Sequence, residues 1–175
     1  MKQVGILKGD PDAAITIYEF ADYQCPACRR FSQVLNRVKS DYIAAGQLNH
    51  VFIDFPLTEP HPNARQAAIA ARCAGRQGAY WRMHNALFQR QSRWANGSDP
   101  AGEFIDYAEG MGLDAEAFSQ CLESDSAAKA VDRARALGQR LGVAATPTVI
   151  VGERVLDRAP GSSSALRELI EAELP

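Results

Sequence analysis

Residues 17–28 read Ile17-Tyr18-Glu19-Phe20-Ala21-Asp22-Tyr23-Gln24-Cys25-Pro26-Ala27-Cys28. The first half belongs to a β-branched, aromatic and apolar run over 14–22, the character of a buried strand. The second half sets two cysteines three residues apart. Beyond them Phe31, Val34, Leu35, Val38 and Tyr42 recur at helical spacing up to about Gly46. A strand that feeds a helix through Cys25-Pro26-Ala27-Cys28 puts both thiols at a helix N-terminus. Proline in the first turn gives up no hydrogen bond there and pre-sets the backbone. The helix start favours the thiolate, the reactive form of cysteine. A pair at this spacing interconverts between dithiol and disulfide. Cys25, at the tip, is expected to be exposed, electropositive and the nucleophile, and Cys28, one turn further in, more buried and the resolving thiol.

Working outward, 48–55 alternates as a second strand, and Pro56, Pro60 and Pro62 break the chain after it. From 63 to about 141 the pattern is helical almost throughout. Asn63 is the expected N-cap of a helix over 64–74, followed by helices near 80–90, 103–109, 114–122 and 126–141, with a polar loop at 92–100. Strand character returns at 148–151 and 154–156 around Gly152-Glu153, and a last helix covers 163–173. The order is strand, helix, strand, a block of helices, two adjacent strands, helix. The β-α-β start requires parallel strands joined by a crossover helix, and the late pair should be antiparallel. This predicts an α/β domain with a mixed sheet interrupted by a helical insert.

A chain of 175 residues is most simply one domain. Its net charge of −2 gives no electrostatic grip on nucleic acid or an anionic membrane. The basic residues at Arg29-Arg30 and over 133–140 read as solvated helix faces. No run approaches the ~18 apolar residues of a spanning helix. Residues 1–10 lack the apolar core of a signal peptide, which fits either a cytosolic chain or one whose leader has been removed. A zinc site would need two ligands beyond Cys25 and Cys28, and His50, His61 and His84 stand apart, so no metal and no cofactor is expected. Glu19, six residues before Cys25 among apolar neighbours, is placed to lie beneath the active-site helix and relay a proton. Pro147, just before a buried strand, either starts that strand or follows a cis bond, and an ordinary trans proline also fits. Cys73 and Cys121 are left over as a disulfide or as two buried thiols.

Three stretches together resemble the DsbA-like branch of the thioredoxin superfamily: Ile17 to Cys28, Cys73-Ala74-Gly75 followed by Tyr80-Trp81, and Gly142 to Val151. The resemblance covers nearly the whole chain. It implies a thioredoxin-like fold with a mixed central sheet, its core over about 1–60 and 142–175 and a helical insertion over about 61–141. It implies a cis bond at Thr146-Pro147 beside the dithiol, with the backbone of Thr146 pairing to extended substrate. It also implies a structural Cys73–Cys121 disulfide and an extracytoplasmic, in bacteria periplasmic, setting whose export or anchor segment is absent from this chain. The activity implied is donation of the Cys25–Cys28 disulfide to exported, unfolded or extended proteins through a mixed disulfide. A membrane quinone-coupled partner would reoxidise the dithiol. Ala27 departs from the histidine that strong oxidants of the branch carry between their cysteines, removing one support of the thiolate. A reductase or isomerase kept reduced, and a chaperone module indifferent to its cysteines, are the alternative readings.

Overall fold

In the computed structural model, which describes residues 1–175, the apolar run at 14–22 is strand β2 (Ile15–Ala21), preceded by a short strand β1 (Ile6–Lys8). The chain then forms α1 (Pro26–Asn36), α2 (Lys39–Ala44) and β3 (Leu48–Asp54). The helices α3 (Ala64–Arg76), α4 (Tyr80–Gln89), α5 (Gln91–Trp94), α6 (Ala101–Gly110), α7 (Ala115–Leu122) and α8 (Asp125–Arg140) follow. Strands β4 (Thr148–Val151) and β5 (Arg154–Val155) and helix α9 (Ser163–Glu173) close the chain. The contacts divide it into two units, one of Met1–Ala21, Pro26–Phe55 and Ala134–Pro175, the other of Asp22–Cys25 and Pro56–Arg133.

The first unit holds a five-stranded mixed sheet in the order β1-β3-β2-β4-β5. β2 runs parallel to β3 and antiparallel to β4, so it is hydrogen-bonded on both edges. Parallel pairing of β2 and β3 follows from the helical crossover between them. Alternation along β2 sends Ile15 and Ile17 to one face, where they pack with Phe31 and Leu35 of α1, Leu48 of β3 and Leu166 and Ile170 of α9. On α1 the buried residues Cys28, Phe31, Ser32 and Leu35 fall at i, i+3, i+4 and i+7, the inward stripe of a helix lying on a sheet. The β4–β5 hairpin turns at Gly152, whose φ of +60° suits glycine. Ser162 caps α9, its side chain accepting from the Ala165 N–H at 3.2 Å.

The second unit is helical. Trp94, Phe104, Phe118, Met83 and Leu87 are buried in it, and the Trp94 indole donates to the Leu87 carbonyl at 2.9 Å. Asp114 caps α7, accepting from the Ala117 N–H at 2.9 Å. Cys73 of α3 and Cys121 of α7 are joined in a disulfide that spans 48 positions of sequence.

The structure departs from the sequence reading in four places. β1 is a three-residue edge strand paired only to β3, too short to show a period. The helix expected up to Gly46 is interrupted at Arg37 and Val38, whose N–H groups bond three residues back to Val34 and Leu35. That break lets α2 start with Lys39 buried. The polar loop begins with the single turn of α5. Asn63 makes no cap. Its side-chain amide donates instead to the carbonyls of Trp94, Ala95 and Gly97, at 3.3, 3.3 and 2.8 Å.

A cross-link across that many residues restricts the unfolded chain. Replacing both Cys73 and Cys121 by serine should lower the unfolding free energy by roughly 2–4 kcal/mol, read from denaturant titrations with and without reductant. The wild-type protein should fall to the variant's midpoint on reduction.

Candidate active site

The segment before α1 is fixed by one carboxylate. Asp22, buried, accepts through Oδ1 from the N–H groups of Gln24 (2.7 Å) and Cys25 (3.2 Å). Its Oδ2 accepts from the Leu57 N–H and from His61 Nδ1–H, both at 2.8 Å. An aspartate bonding the amide two residues on is the turn chemistry its short side chain favours. The other side of Cys25 is held by Gln91, whose amide nitrogen donates to the carbonyls of Tyr23 (2.8 Å) and Cys25 (3.1 Å). The Gln24 side chain is tied down as well, donating to the Ala95 carbonyl and accepting from the Asn63 N–H. Tyr23 places its hydroxyl 3.0 Å from His84 Nδ1 and 3.2 Å from the Tyr80 hydroxyl. The backbone of Cys25 is thus pinned at its N–H and at its C=O. Pro26 begins α1 directly after it.

Within the first unit, Cys28 lies on the inward stripe of α1 and is fully buried. Cys25, expected to be exposed at the helix tip, is buried too, at 7% exposure. Glu19 continues the β2 face that carries Ile15 and Ile17, the face on which α1 packs. Its Oε2 is 2.9 Å from His50 Nε2 on β3, and His50 Nδ1 is 3.4 Å from Lys39 Nζ. All three groups are buried. Burial pushes the Glu19 carboxyl up from 4.5 to about 8, with the Lys39 charge opposing. Burial also brings Lys39 down from 10.5 to about 8, with Glu19 opposing and Lys8 adding to the fall. Glu19 Oε1 has no hydrogen-bond partner. At neutral pH this carboxyl therefore holds a proton and has one oxygen uncommitted, which suits a group that passes a proton on.

The Thr146–Pro147 bond is cis. The loop before it is steadied by Thr148 Oγ1, which donates to the Ala145 carbonyl at 2.8 Å. Thr146 and Pro147 share with Ala27 the wall of a cavity of about 590 Å³. Phe31, Val34, Ala159 and Pro160 give it an apolar floor. The structure thus places the helix that opens with the Cys-Pro-Ala-Cys motif and the Thr-Pro loop on one cavity. No group of three or more His, Cys, Asp or Glu side chains is arranged to hold a metal ion.

Sequence reasoning singled out Cys25, Cys28, Glu19, Thr146 and Pro147. It did not find Asp22, Gln91, His50 or Lys39 as parts of the site. Asp22 sits inside the deciding stretch, and an acid closing a buried strand three residues before a cysteine was a signal available for it. His50 and Lys39 carry no such local signal.

A thioredoxin family model matches residues 2–172. A Na(+)/H(+) antiporter NhaA 3 of Salinispora tropica is 32% identical over 148 residues, 85% of this chain and 22% of that protein. The chain therefore spans about a fifth of that relative's length. Disulfide bond formation protein D of Bacillus subtilis is 27% identical over 177 residues, 96% of this chain and 78% of that protein. The crystal structure of oxidised BdbD from Bacillus subtilis superposes with a TM-score of 0.87 at 25% identity, over 99% of this chain and 94% of that one.

Two outcomes follow from this geometry. Because the folded state holds a proton on Glu19 that the unfolded state releases above about pH 4.5, wild-type stability should fall between about pH 5 and pH 8. Lys39 stays charged in both states over most of that window, so the decline should be missing from Glu19→Gln in urea titrations across the range. Removing the Asp22 carboxylate strands the N–H groups of Gln24 and Leu57 and leaves that of Cys25 with its 3.2 Å bond to the Asp22 carbonyl. Asp22→Ala should cost roughly 1–3 kcal/mol in denaturant unfolding. It should also slow reaction at Cys25 more than an equally destabilising Phe104→Leu change does.

Proposed function

Because the chain belongs to the thioredoxin family, we propose that it is a thiol–disulfide oxidoreductase of DsbA type that donates the Cys25–Cys28 disulfide to protein thiols. The observation that carries this reading is the pairing, on one cavity wall, of the helix opened by Cys25-Pro26-Ala27-Cys28 with the Thr146–Pro147 loop. The likeness to disulfide bond formation protein D supports the direction, donation over reduction.

The reaction runs as two exchanges. A substrate thiolate attacks the Cys25 sulfur of the oxidised protein, and the sulfur of Cys28 leaves as thiolate. A proton restores the Cys28 thiol, and Glu19, charged with a proton at neutral pH, is the donor. A second substrate thiolate then attacks its own sulfur in the mixed disulfide and releases the Cys25 thiolate. The substrate has lost two electrons and the protein has gained them. The helix start steadies the Cys25 thiolate as it departs, while Asp22 and Gln91 hold its backbone still through both steps. The backbone of Thr146, ahead of the proline, would receive the substrate as an added strand, with Pro147 packing against it. On this reading the protein works outside the cytoplasm on unfolded or extended chains. A membrane quinone-coupled protein takes the two electrons from the dithiol in the next turnover.

The test is turnover of a reduced model protein by oxidised enzyme. Cys25→Ser should abolish disulfide transfer. Cys28→Ser should accumulate the mixed disulfide, visible as a covalent adduct on non-reducing gels. Full activity in Cys25→Ser would refute the assignment. Equilibration with glutathione sets the direction, since a donor is reduced by that pool whereas a reductase resists it.

A further inference from the structure

We propose that the cavity beside Thr146–Pro147 selects its protein substrates by acidic side chains near the reacting cysteine, recognised by Arg30, Arg37 and Arg158. This rests on the reading of the same site given above and names the class of substrate it prefers. The three arginines line the cavity from two directions, Arg30 and Arg37 from α1 and the residue just past its end, Arg158 from the loop before α9. None of the three guanidinium groups forms an ion pair or hydrogen bond, although those of other arginines of this chain do: Arg65 with Asp132 and Arg167 with Asp41. A single acid, Asp157, stands on the same wall. A chain of net charge −2 therefore gathers a surplus of two positive charges at one cavity.

The spacing suits an extended peptide. Arg30 and Arg37 are seven residues apart, so they lie on one side of the helix with about 10 Å of axis between them. Extended chain advances roughly 3.3–3.6 Å per residue, so acids about three residues apart span that interval. A guanidinium offers a planar fork that matches a carboxylate, a geometry lysine lacks. The apolar floor of Phe31, Val34 and Pro147 accepts the side chain between them, while all three charged heads stay in water at the rim. A carboxylate arriving there gains a partner without a buried charge being created.

The direct test uses two fluorescent peptides of equal length with serine in place of cysteine, one flanked by aspartates and one by lysines. Anisotropy at low salt should show the acidic peptide bound roughly tenfold more tightly, the combined size expected of three solvent-exposed ion pairs. The difference should shrink at about 0.5 M salt, where screening is strong. It should vanish in a triple variant with Arg30→Gln, Arg37→Gln and Arg158→Gln, and survive in large part when the same three become lysine. All three side chains are exposed, so the substitutions leave the fold in place, checked by circular dichroism. Equal affinities, no measurable binding of the acidic peptide, or a preference that outlasts the glutamine variant would overturn the proposal. Cysteine-bearing forms of both peptides then report exchange rates, with dithiothreitol as reference. Loss of reaction with dithiothreitol would strike the oxidoreductase reading alone, because the serine peptides measure selection without any chemistry at sulfur.

Discussion

β2 is hydrogen-bonded along both edges, and the first unit depends on that double pairing. Its seven residues match β3 in parallel from Ile15 to Ala21, and Ile17 to Phe20 match β4 antiparallel. A strand has a period of two, so a slip of one residue would turn every side chain to the wrong face. In the observed register Ile15 and Ile17 meet α1 and α9, and Glu19 follows them onto the same side. The apolar alternation thus does more than build a core, because it delivers an acid beneath the helix that carries Cys28. Phe20 goes to the opposite face, where it and Phe55 meet Gly138 of α8. A Cβ on Gly138 would stand 2.5 Å from the Phe55 ring, so the helix comes this close only because the side chain is absent.

Two buried acids precede the motif, and they differ in how fully their oxygens are partnered. Asp22 has both oxygens occupied by donors, three of them backbone amides, and every bond it makes fixes the course of the chain around Cys25. Such a group serves as a clamp, since moving it would strand several donors at once. Glu19 commits one oxygen to His50 and leaves the other open. Its desolvation favours the protonated form, and His50 links it to Lys39, a second group whose ionisation has been brought to the same region of pH. A carboxyl with a spare oxygen and a poised proton is what the proposed exchange would call for. The distinction lies in the count of partners, and the residue types alone do not disclose it.

The parts of this protein that were legible in the sequence are those written in local patterns. Cys25 and Cys28 announced themselves by spacing, β2 and β3 by apolar runs, and the later helices by periodicity and caps. Glu19 could be placed because a strand's alternation reaches it from Ile17. What escaped was short or distant. β1 has three residues and α5 four, too few for any period to show. The break between α1 and α2 falls where apolar spacing continues unbroken through Val38, so the pattern argued for one helix while the burial of Lys39 required two. His50 meets Glu19 across 31 positions, His61 meets Asp22 across 39 and His84 meets Tyr23 across 61, so each looked isolated. Asn63 had the right identity for a cap, but three carbonyls at the end of α5 and just past it claimed its side chain instead.

Charge was the least legible property. A sum of −2 predicts no electrostatic grip on a polyanion, and Arg29-Arg30 read as a solvated face. Arg30 is indeed exposed, yet it also edges the cavity, and these are compatible. A guanidinium buried on the cavity floor would lose its hydration and would bind an acid tightly only after a large cost. At the rim it keeps its water, attracts carboxylates from a distance and contributes modestly once they arrive, so its influence falls mainly on the rate of encounter. On the proposed reading, that balance fits an exchange catalyst. A substrate held strongly by its flanking residues would linger after its disulfide had formed, whereas shallow electrostatic capture over an apolar floor would admit the right segment and let it go once a covalent link to Cys25 was broken.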